Sequence, residues 1–278
     1  MDSGVSVMAV MQIIIPTLAR TDQQITLSFL PAELRKRTTL VCPKREASKL
    51  YRLYDDVEIF CQPDPTWKIA PKREWIMRTW LELGYDKIIM LDDDLTFSTR
   101  TSAGDWHLRQ IEGEELIPEF QRIEDKLGPE CPHVGFGSRQ GNNWQDAGWK
   151  SPGRMIYALA YYLPIVVREC EFNRVRTHED IDITLQLLRK GYPNAIWNTT
   201  VVDQKEFNAF GGTSIERTVT SNNEDAYRLA ELHPGYVSVR WRKYKVSVQR
   251  QEVHCLWQKA LRDGRSQSSN TGLSKNIY

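Results

Sequence analysis

Asp92, Asp93 and Asp94 follow one another directly after the apolar run Ile88 to Leu91. Three adjacent carboxylates repel one another, and a cation set among them relieves the repulsion. Hard oxygen ligands of this kind suit Mg²⁺ or Mn²⁺, so a divalent metal at the triplet is the economical explanation. The structural alternative is a turn whose acids cap the next helix. About 85 residues further on, His178-Glu-Asp180 opens a stretch in which Ile181, Leu185 and Leu188 share one helical face. Thr177, three places before Asp180, reads as a capping-box-like start. One acid there can cap the helix while its neighbour takes a proton, and a doubly capped helix without chemistry is the alternative.

These groups need a frame. Ile88 to Leu91 reads as a buried strand of a mostly parallel sheet, whose carboxyl edge is where such sheets open a ligand crevice. Met11 to Pro16 reads as a first strand stopped by its proline, which leaves Thr17 to Arg20 at the same rim and Arg20 facing an anion. An apolar-spaced segment covers Ile25 to Leu34. Strands at Thr38 to Cys42 and Val57 to Cys61 flank a polar helix from Ala47 to Tyr54. Pro71 and Gly84 punctuate a further helix. Lys72 and Arg73 fall in its first turn, where cations make sense beside a bound anion or else as solvated surface groups. Strand and helix in alternation predict an α/β fold, a sheet flanked by helices.

Beyond the acidic strand, Thr99 to Pro132 reads as loop plus a helix within Glu112 to Leu127. A strand from His133 then enters a Gly- and Asn-rich loop. Gly135, Gly137 and Gly141 do not form a dinucleotide fingerprint, because no suitable helix follows, and they suggest close approach to a ligand. Asn142, Asn143, Trp144 and Trp149 suit stacking on an acceptor, or lid packing. Gly211 and Gly212 could hinge a loop that closes over a bound ligand, excludes water and brings Arg217 to an anionic group on it, the alternative being a plain surface loop. From Tyr236 to Arg250 the basic residues Arg240, Arg242, Lys243, Lys245 and Arg250 interleave with Trp241 and Tyr244 without an acid. That pattern suits a phosphate backbone, or an edge strand protected by charge.

The chain has 278 residues, 41% hydrophobic and 26% charged, enough for one α/β domain over 1–261 followed by a mobile Ser-, Asn- and Gly-rich tail, 262–278. A net charge of +1 makes no global commitment to nucleic acid or membrane. Five cysteines without a close CxxC spacing fit neither a disulfide framework nor a thiolate zinc site, and point to a reducing cytoplasm. No apolar stretch reaches the roughly 18 residues of a membrane span.

In their order, Leu91-Asp-Asp-Asp94 and then His178-Glu-Asp180, the two acidic groups resemble the DxD and xED motifs of the GT-A glycosyltransferases, a likeness running from about Gln12 to Tyr236. Within that class, Pro16-Thr-Leu-Ala-Arg20, Gly135-Phe-Gly-Ser-Arg139, Asn142-Asn-Trp144 and Gly211-Gly-Thr213 are most similar to the TET-associated glycosyltransferases of bacteriophages. Those enzymes are linked to sugar transfer onto 5-hydroxymethylpyrimidines in phage DNA. The resemblance implies a GT-A-like fold, a nucleotide-sugar donor such as a UDP-sugar, Mn²⁺ or Mg²⁺, and DNA bearing 5-hydroxymethylcytosine or a related base in the host cytoplasm. It implies that Asp92 faces the ribose and Asp94 binds the metal, with Asp92 and His233 completing the set and Asp93 between them. The Asp-Asp-Asp form leaves the metal-binding member open. Thr17, Arg20, Lys72, Arg73 and Arg217 fall on the nucleotide side. Glu179 and Asp180 are the catalytic pair, with Asp180 as general base and Asp182 its competitor. A polysaccharide or protein acceptor, a metal-dependent nuclease or phosphatase, and an inert nucleotide-binding scaffold are the other readings.

Overall fold

The computed structural model describes residues 10–64, 68–102, 104, 106–139, 145–204, 219–243 and 249–270. The first strand, β1 (Gln12–Pro16), buries Ile13 and Ile15 on one face and Ile14 on the other, as its unbroken isoleucines require. Two short helices follow, α1 (Ile25–Phe29) and α2 (Ala32–Arg35), where the spacing predicts one segment. Pro31 divides them, because a residue before proline avoids helical backbone, and Leu30 is extended. Next come β2 (Thr38–Pro43), α3 (Lys44–Leu53), β3 (Glu58–Gln62), α4 (Ile69–Glu82) and β4 (Lys87–Leu91). Pro71 is tolerated in the first turn of α4, where its missing N–H has no intrahelical acceptor. Gly84 ends that helix region at φ +90°, a conformation that favours glycine.

The chain continues through β5 (Leu95–Arg100), β6 (Leu108–Ile111), a 3₁₀ turn at Gly113–Glu115, α5 (Leu116–Lys126), β7 (His133–Ser138), β8 (Trp149–Lys150), β9 (Ala158–Tyr162), α6 (Leu163–Glu169), α7 (Glu179–Arg189) and β10 (Asn194–Gln204). It closes with α8 (Val219–Leu232), β11 (Val237–Lys243), β12 (Gln249–Cys255) and α9 (Trp257–Asn270). One ten-stranded sheet has the order β3-β2-β1-β4-β9-β7-β10-β5-β6, with β8 also on β10; β11 and β12 form a separate ribbon. In the large sheet β5, β8 and β9 run against the other strands. The carboxyl ends of β1, β4, β7 and β10 therefore share one rim, which is where the Asp triplet emerges.

Apolar layers cover both faces. Leu40, Phe97, Phe120 and Phe136 pack with Ile13 and Ile15 on one, and Ile76, Trp80, Ile88, Met90 and Tyr161 pack with Ile14 on the other. The strands β5 and β6 replace part of what reads as loop in the sequence. Leu95, Phe97 and Ser98 are buried, and pairing to the eleven-residue β10 draws the segment into the sheet. Gly135 answers to the fold rather than to a ligand: a Cβ there would lie 2.5 Å from the carbonyl oxygen of Ala158 on the neighbouring β9. The expected tail also differs. Residues Arg262 to Asn270 continue α9 because Ala260 and Leu261 pack with Leu185 and Leu188, and Gly264 lets the helix approach α7 so closely that a Cβ would meet Leu188 O at 2.4 Å. Tertiary packing here outweighs a composition poor in helix formers. Residues 271–278 lie outside the described part.

Beneath the rim, His133 is fully buried on β7. Its Nδ1 is 3.0 Å from Ala160 O, its Nε2 is 3.2 Å from Thr184 Oγ1, and its ring stacks on Tyr161 at 4.6 Å. Burial lowers its pKa from 6.5 to about 4. The unfolded chain then takes up a proton between those values that the folded chain refuses, so stability is full above pH ~6.5 and falls by about 3 kcal/mol as pH drops toward 4. Urea unfolding at pH 7, 5.5 and 4.5 should show that fall. His133→Asn keeps a donor but does not titrate, and should flatten it; an equally steep fall in the variant would assign the acid sensitivity to other groups.

Candidate active site

The rim is built from the backbone outward. Thr26 of α1 donates its N–H to Asp93 O at 3.1 Å, its hydroxyl to Asp92 O, and accepts the N–H of Leu95 at 2.8 Å. The Asp92 N–H is held by Tyr157 O at 3.0 Å. The acidic turn is thereby pinned from two sides.

Its three carboxylates go to different places. Asp93 is buried and turned inward, accepting from Thr17 Oγ1 at 2.7 Å and from Arg20 Nη1 at 2.6 Å. The same Arg20 nitrogen reaches Asp94 Oδ2 at 2.8 Å. Thr17 and Arg20, expected to face the nucleotide, are thus the partners that orient Asp93 and Asp94. Among the described residues Asp94 Oδ1 has only the 3.4 Å approach of Gln204 Nε2, from the end of β10. Asp92 is the most open of the three, its side chain 28% exposed. A hard dication bound by one or two of these carboxylates and completed by phosphate oxygens fits Asp94 with Asp92. Among the described residues no three His, Cys, Asp or Glu side chains gather to hold an ion by themselves.

Lys72, at the end of the first turn of α4, and Arg73, just beyond the turn where it was expected, are both buried rather than solvated. Lys72 Nζ points to Thr17 O at 3.5 Å. Arg73 joins the two motifs: Nη1 donates to Glu179 Oε1 at 2.7 Å, and Nη2 lies 3.2 Å from Asp92 Oδ1. Burial alone would weaken this guanidinium's hold on its proton, yet Glu179 and Asp92 more than offset that and raise its pKa.

The head of α7 differs from a capped start. His178 occupies the cap position and makes no side-chain capping bond. Thr177 Oγ1 donates instead to Asp225 Oδ2 of α8 at 2.9 Å, and the adjacent Arg176 pairs with the same carboxylate at 3.0 Å. Three acids stand in this turn, and two are committed. Glu179 is held by Arg73. Asp182 is buried and accepts from Arg174 Nη2 at 2.5 Å and Arg174 Nε at 3.0 Å, with His233 Nε2 at 2.7 Å. Burial would raise the Asp182 pKa, but the bonds from His233 and Arg174 outweigh it and hold the carboxyl below its ordinary value. Asp180 is half-buried, accepts only the N–H of Ile181 on Oδ1 at 2.8 Å, and has no ion-pair partner among the described residues.

His233, expected as a metal ligand, is fully buried in the packing of α7 against α8. Its Nε2 serves Asp182, and its Nδ1 lies 3.1 Å from Arg189 Nη1, so both ring nitrogens are engaged in a structural ion network. The signal for this was present in the sequence, since Asp182 and Arg189 fall in the same helix, but the pairing to His233 spans 51 residues. Trp149 packs on Trp197 at 4.9 Å and remains 40% exposed. Asn142, Asn143, Trp144, Gly211, Gly212, Thr213 and Arg217 lie outside the described residues. Gln204, Thr26 and Asp225 are site-building residues that no sequence motif announces.

The TET-Associated Glycosyltransferase family model matches residues 11–212, more than half of the chain, and its span contains both acidic motifs and the arginine between them. The chain belongs to that family. This glycosyltransferase has no match among curated proteins. Among solved structures it is similar to A197 from STIV (12% identity, TM-score 0.42, 71% of this chain and 86% of that one). It is also similar to S. aureus TarS 1-349 in complex with UDP (11%, TM-score 0.43, 80% and 65%). A third likeness is to mannose-1-phosphate geranyltransferase from Thermus thermophilus (13%, TM-score 0.32, 68% and 57%). Membership sets aside the nuclease and phosphatase readings. Among the described residues no helix is long and apolar enough to cross a membrane.

Removing Arg73 would strand two carboxylates. Breaking a buried pair from one side costs about 3–5 kcal/mol. Arg73→Gln should lose stability on that scale in urea unfolding, and Arg73→Gln/Glu179→Gln should regain much of it because the stranded charge is gone. A double variant as unstable as the sum of its singles would show that the two residues are not coupled.

Proposed function

We propose that this glycosyltransferase moves a sugar from a nucleotide-sugar donor, UDP being the expected nucleotide, to the hydroxymethyl group of a 5-hydroxymethylpyrimidine such as 5-hydroxymethylcytosine in DNA. The acceptor follows from the family resemblance. The observation that supports the reading most directly is the Arg73 bridge, which holds a donor-side carboxylate, Asp92, beside the α7 head that carries Asp180.

Within this reading Asp92 takes the ribose hydroxyls. Asp94, oriented by Arg20, and Asp92 would hold a divalent ion, which when bound would supply charge neutralisation to the leaving diphosphate. Arg73 positions Glu179 and Asp92 rather than binding phosphate, and Lys72 lends a positive field under the rim. Arg217 keeps its expected role toward the diphosphate. His233 leaves the metal set. Asp180 is the general base, because Glu179 and Asp182 are neutralised by arginines while Asp180 has no such partner among the described residues.

The acceptor oxygen forms a bond to the anomeric carbon as the bond from that carbon to the diphosphate breaks. The bonding pair leaves on the diphosphate oxygen, and the hydroxyl proton passes to Asp180. A direct displacement of this kind inverts the anomeric centre. An uncharged hydroxyl is a poor nucleophile, and a positioned carboxylate base contributes about 10²–10⁴-fold.

Asp180→Asn keeps the shape and removes the basicity, so turnover should fall by about 10²–10⁴-fold with donor affinity nearly unchanged. Transfer from a panel of nucleotide sugars to hydroxymethylated DNA, read by nucleoside mass spectrometry, measures it. Near-native turnover in Asp180→Asn, with Glu179→Gln inactive, would move the base to the other acid. Asp94→Ala, and EDTA with the native protein, should each abolish transfer; full activity of folded Asp94→Ala in EDTA would sink the metal site.

A further inference from the structure

The two oxygens of Asp94 have unlike surroundings. Oδ2 lies 2.8 Å from Arg20 Nη1, in an ion pair almost sealed from water. Among the described residues Oδ1 meets only the side chain of Gln204, which donates its amide N–H across 3.4 Å. Hydrogen bonds to a charged group ordinarily close to about 2.7–2.9 Å, so this one is stretched and cheap to give up.

Gln204 is brought to the carboxylate by the sheet, since 110 residues separate the two in sequence. It is the last residue of β10, and pairing with β5 sets it opposite Leu95, the residue after Asp94. Both sides of that pairing are fixed. Val201 and Val202 are buried in β10, and Thr26 Oγ1 accepts the Leu95 N–H at 2.8 Å. The amide therefore stands beside the carboxylate in a set register, and its side-chain torsions are what remain to adjust.

A primary amide has a donor end and an acceptor end, and half a turn about its last torsion exchanges them. A carboxylate by itself selects the N–H. A dication on Oδ1 would select the carbonyl oxygen, a hard ligand of the kind Mg²⁺ and Mn²⁺ accept. The spacing agrees with this. Two oxygens about 2.1 Å from one octahedral ion and at right angles to each other are about 3 Å apart, and the amide already stands 3.4 Å from Oδ1. Other candidates are taken up elsewhere: Asp93 faces Thr17 and Arg20, and His233 is engaged with Asp182 and Arg189. Asp94, Asp92 and an amide oxygen make a set without a third His, Cys, Asp or Glu, which is what the described residues offer. Being neutral, the amide would leave more of the ion's charge for a diphosphate than a further carboxylate would.

We infer that Gln204, through its amide oxygen, is a ligand of the divalent ion held by Asp94 and Asp92. This rests on the reading of those two acids as a dication site. Binding is read from the electron paramagnetic resonance signal of free Mn²⁺, with the full-length protein alone and with UDP, so that sugar transfer does not enter the result. Gln204→Leu keeps the bulk and removes the oxygen, and should raise the Mn²⁺ dissociation constant about ten- to hundredfold, the scale on which lost metal-site partners act. Gln204→Glu keeps an oxygen at the same reach and should bind Mn²⁺ at least as tightly as the native protein. An amide that serves only to donate its N–H to Asp94 gives a different order, with Gln204→Glu the weaker variant, because a carboxylate there would repel Asp94. Urea unfolding without metal checks that each variant is folded. Native affinity in Gln204→Leu, or Gln204→Glu as weak as Gln204→Leu, would overturn the assignment of Gln204 and leave the dication site standing. No Mn²⁺ bound by the native protein, with UDP or without, would remove the site and the role of Gln204 with it.

Discussion

A buried guanidinium between two carboxylates sets the terms for the rest of this structure. Arg73 is the fifth residue of α4 and is almost wholly removed from water, which is costly for a charge left unpaired. It is tolerable there only because Glu179, 106 residues away, and Asp92, 19 residues away, both reach it. Those two acids belong to the two motifs that chemistry would need side by side. Folding the chain so that Arg73 is neutralised is therefore the same event as assembling the site.

A second cation, Arg20, acts in the same way at the other end of the triplet. Adjacent residues leaving a strand point in different directions. Asp93 consequently turns into the protein, where Thr17 and Arg20 occupy both its oxygens. Asp94 is as buried and shares Arg20, but among the described residues its Oδ1 meets only Gln204, at 3.4 Å, and Asp92 is the most exposed of the three. A run of three identical residues thus has three different surroundings, held in place by the backbone grip of Thr26.

Strand and helix rhythm, the acidic rim and the acidic helix head were legible because each is written in a short window of sequence. Leu40 to Cys42 and Ile88 to Leu91 are buried runs, and Gly191 ends α7 at φ +86° as its position suggests. What was not legible depends on distant partners. Glu179, Asp180 and Asp182 look alike in sequence, and only Arg73, Arg174 and His233 distinguish them. Gly135 reads equally well as a ligand contact or as a close strand crossing, and the crossing carbonyl at Ala158 decides it. The Ser-rich end of α9 has weak helical character of its own, and its helix exists because Gly264 fits against α7. β5 was hidden for the same reason, since its partner strand lies about a hundred residues on.

The uncommitted state of Asp180 follows from how thoroughly its neighbours are committed. Glu179 is held by α4, Asp182 by Arg174 and by His233 at the end of α8, and the chain just before the helix by Asp225. These ties come from three sides of the molecule and leave the α7 head little freedom to turn. If Asp180 is the base, as proposed, a carboxylate on such a frame would not have to reorganise as the proton moves, which is the electrostatic advantage a preorganised site has over water. Pairing Asp180 with a cation of its own would stabilise the carboxylate and lower its basicity, so the frame does its positioning through the residues on either side. His233 enters this argument through Asp182: by holding that carboxylate it contributes to where Asp180 stands, and it does so from outside the matched residues 11–212.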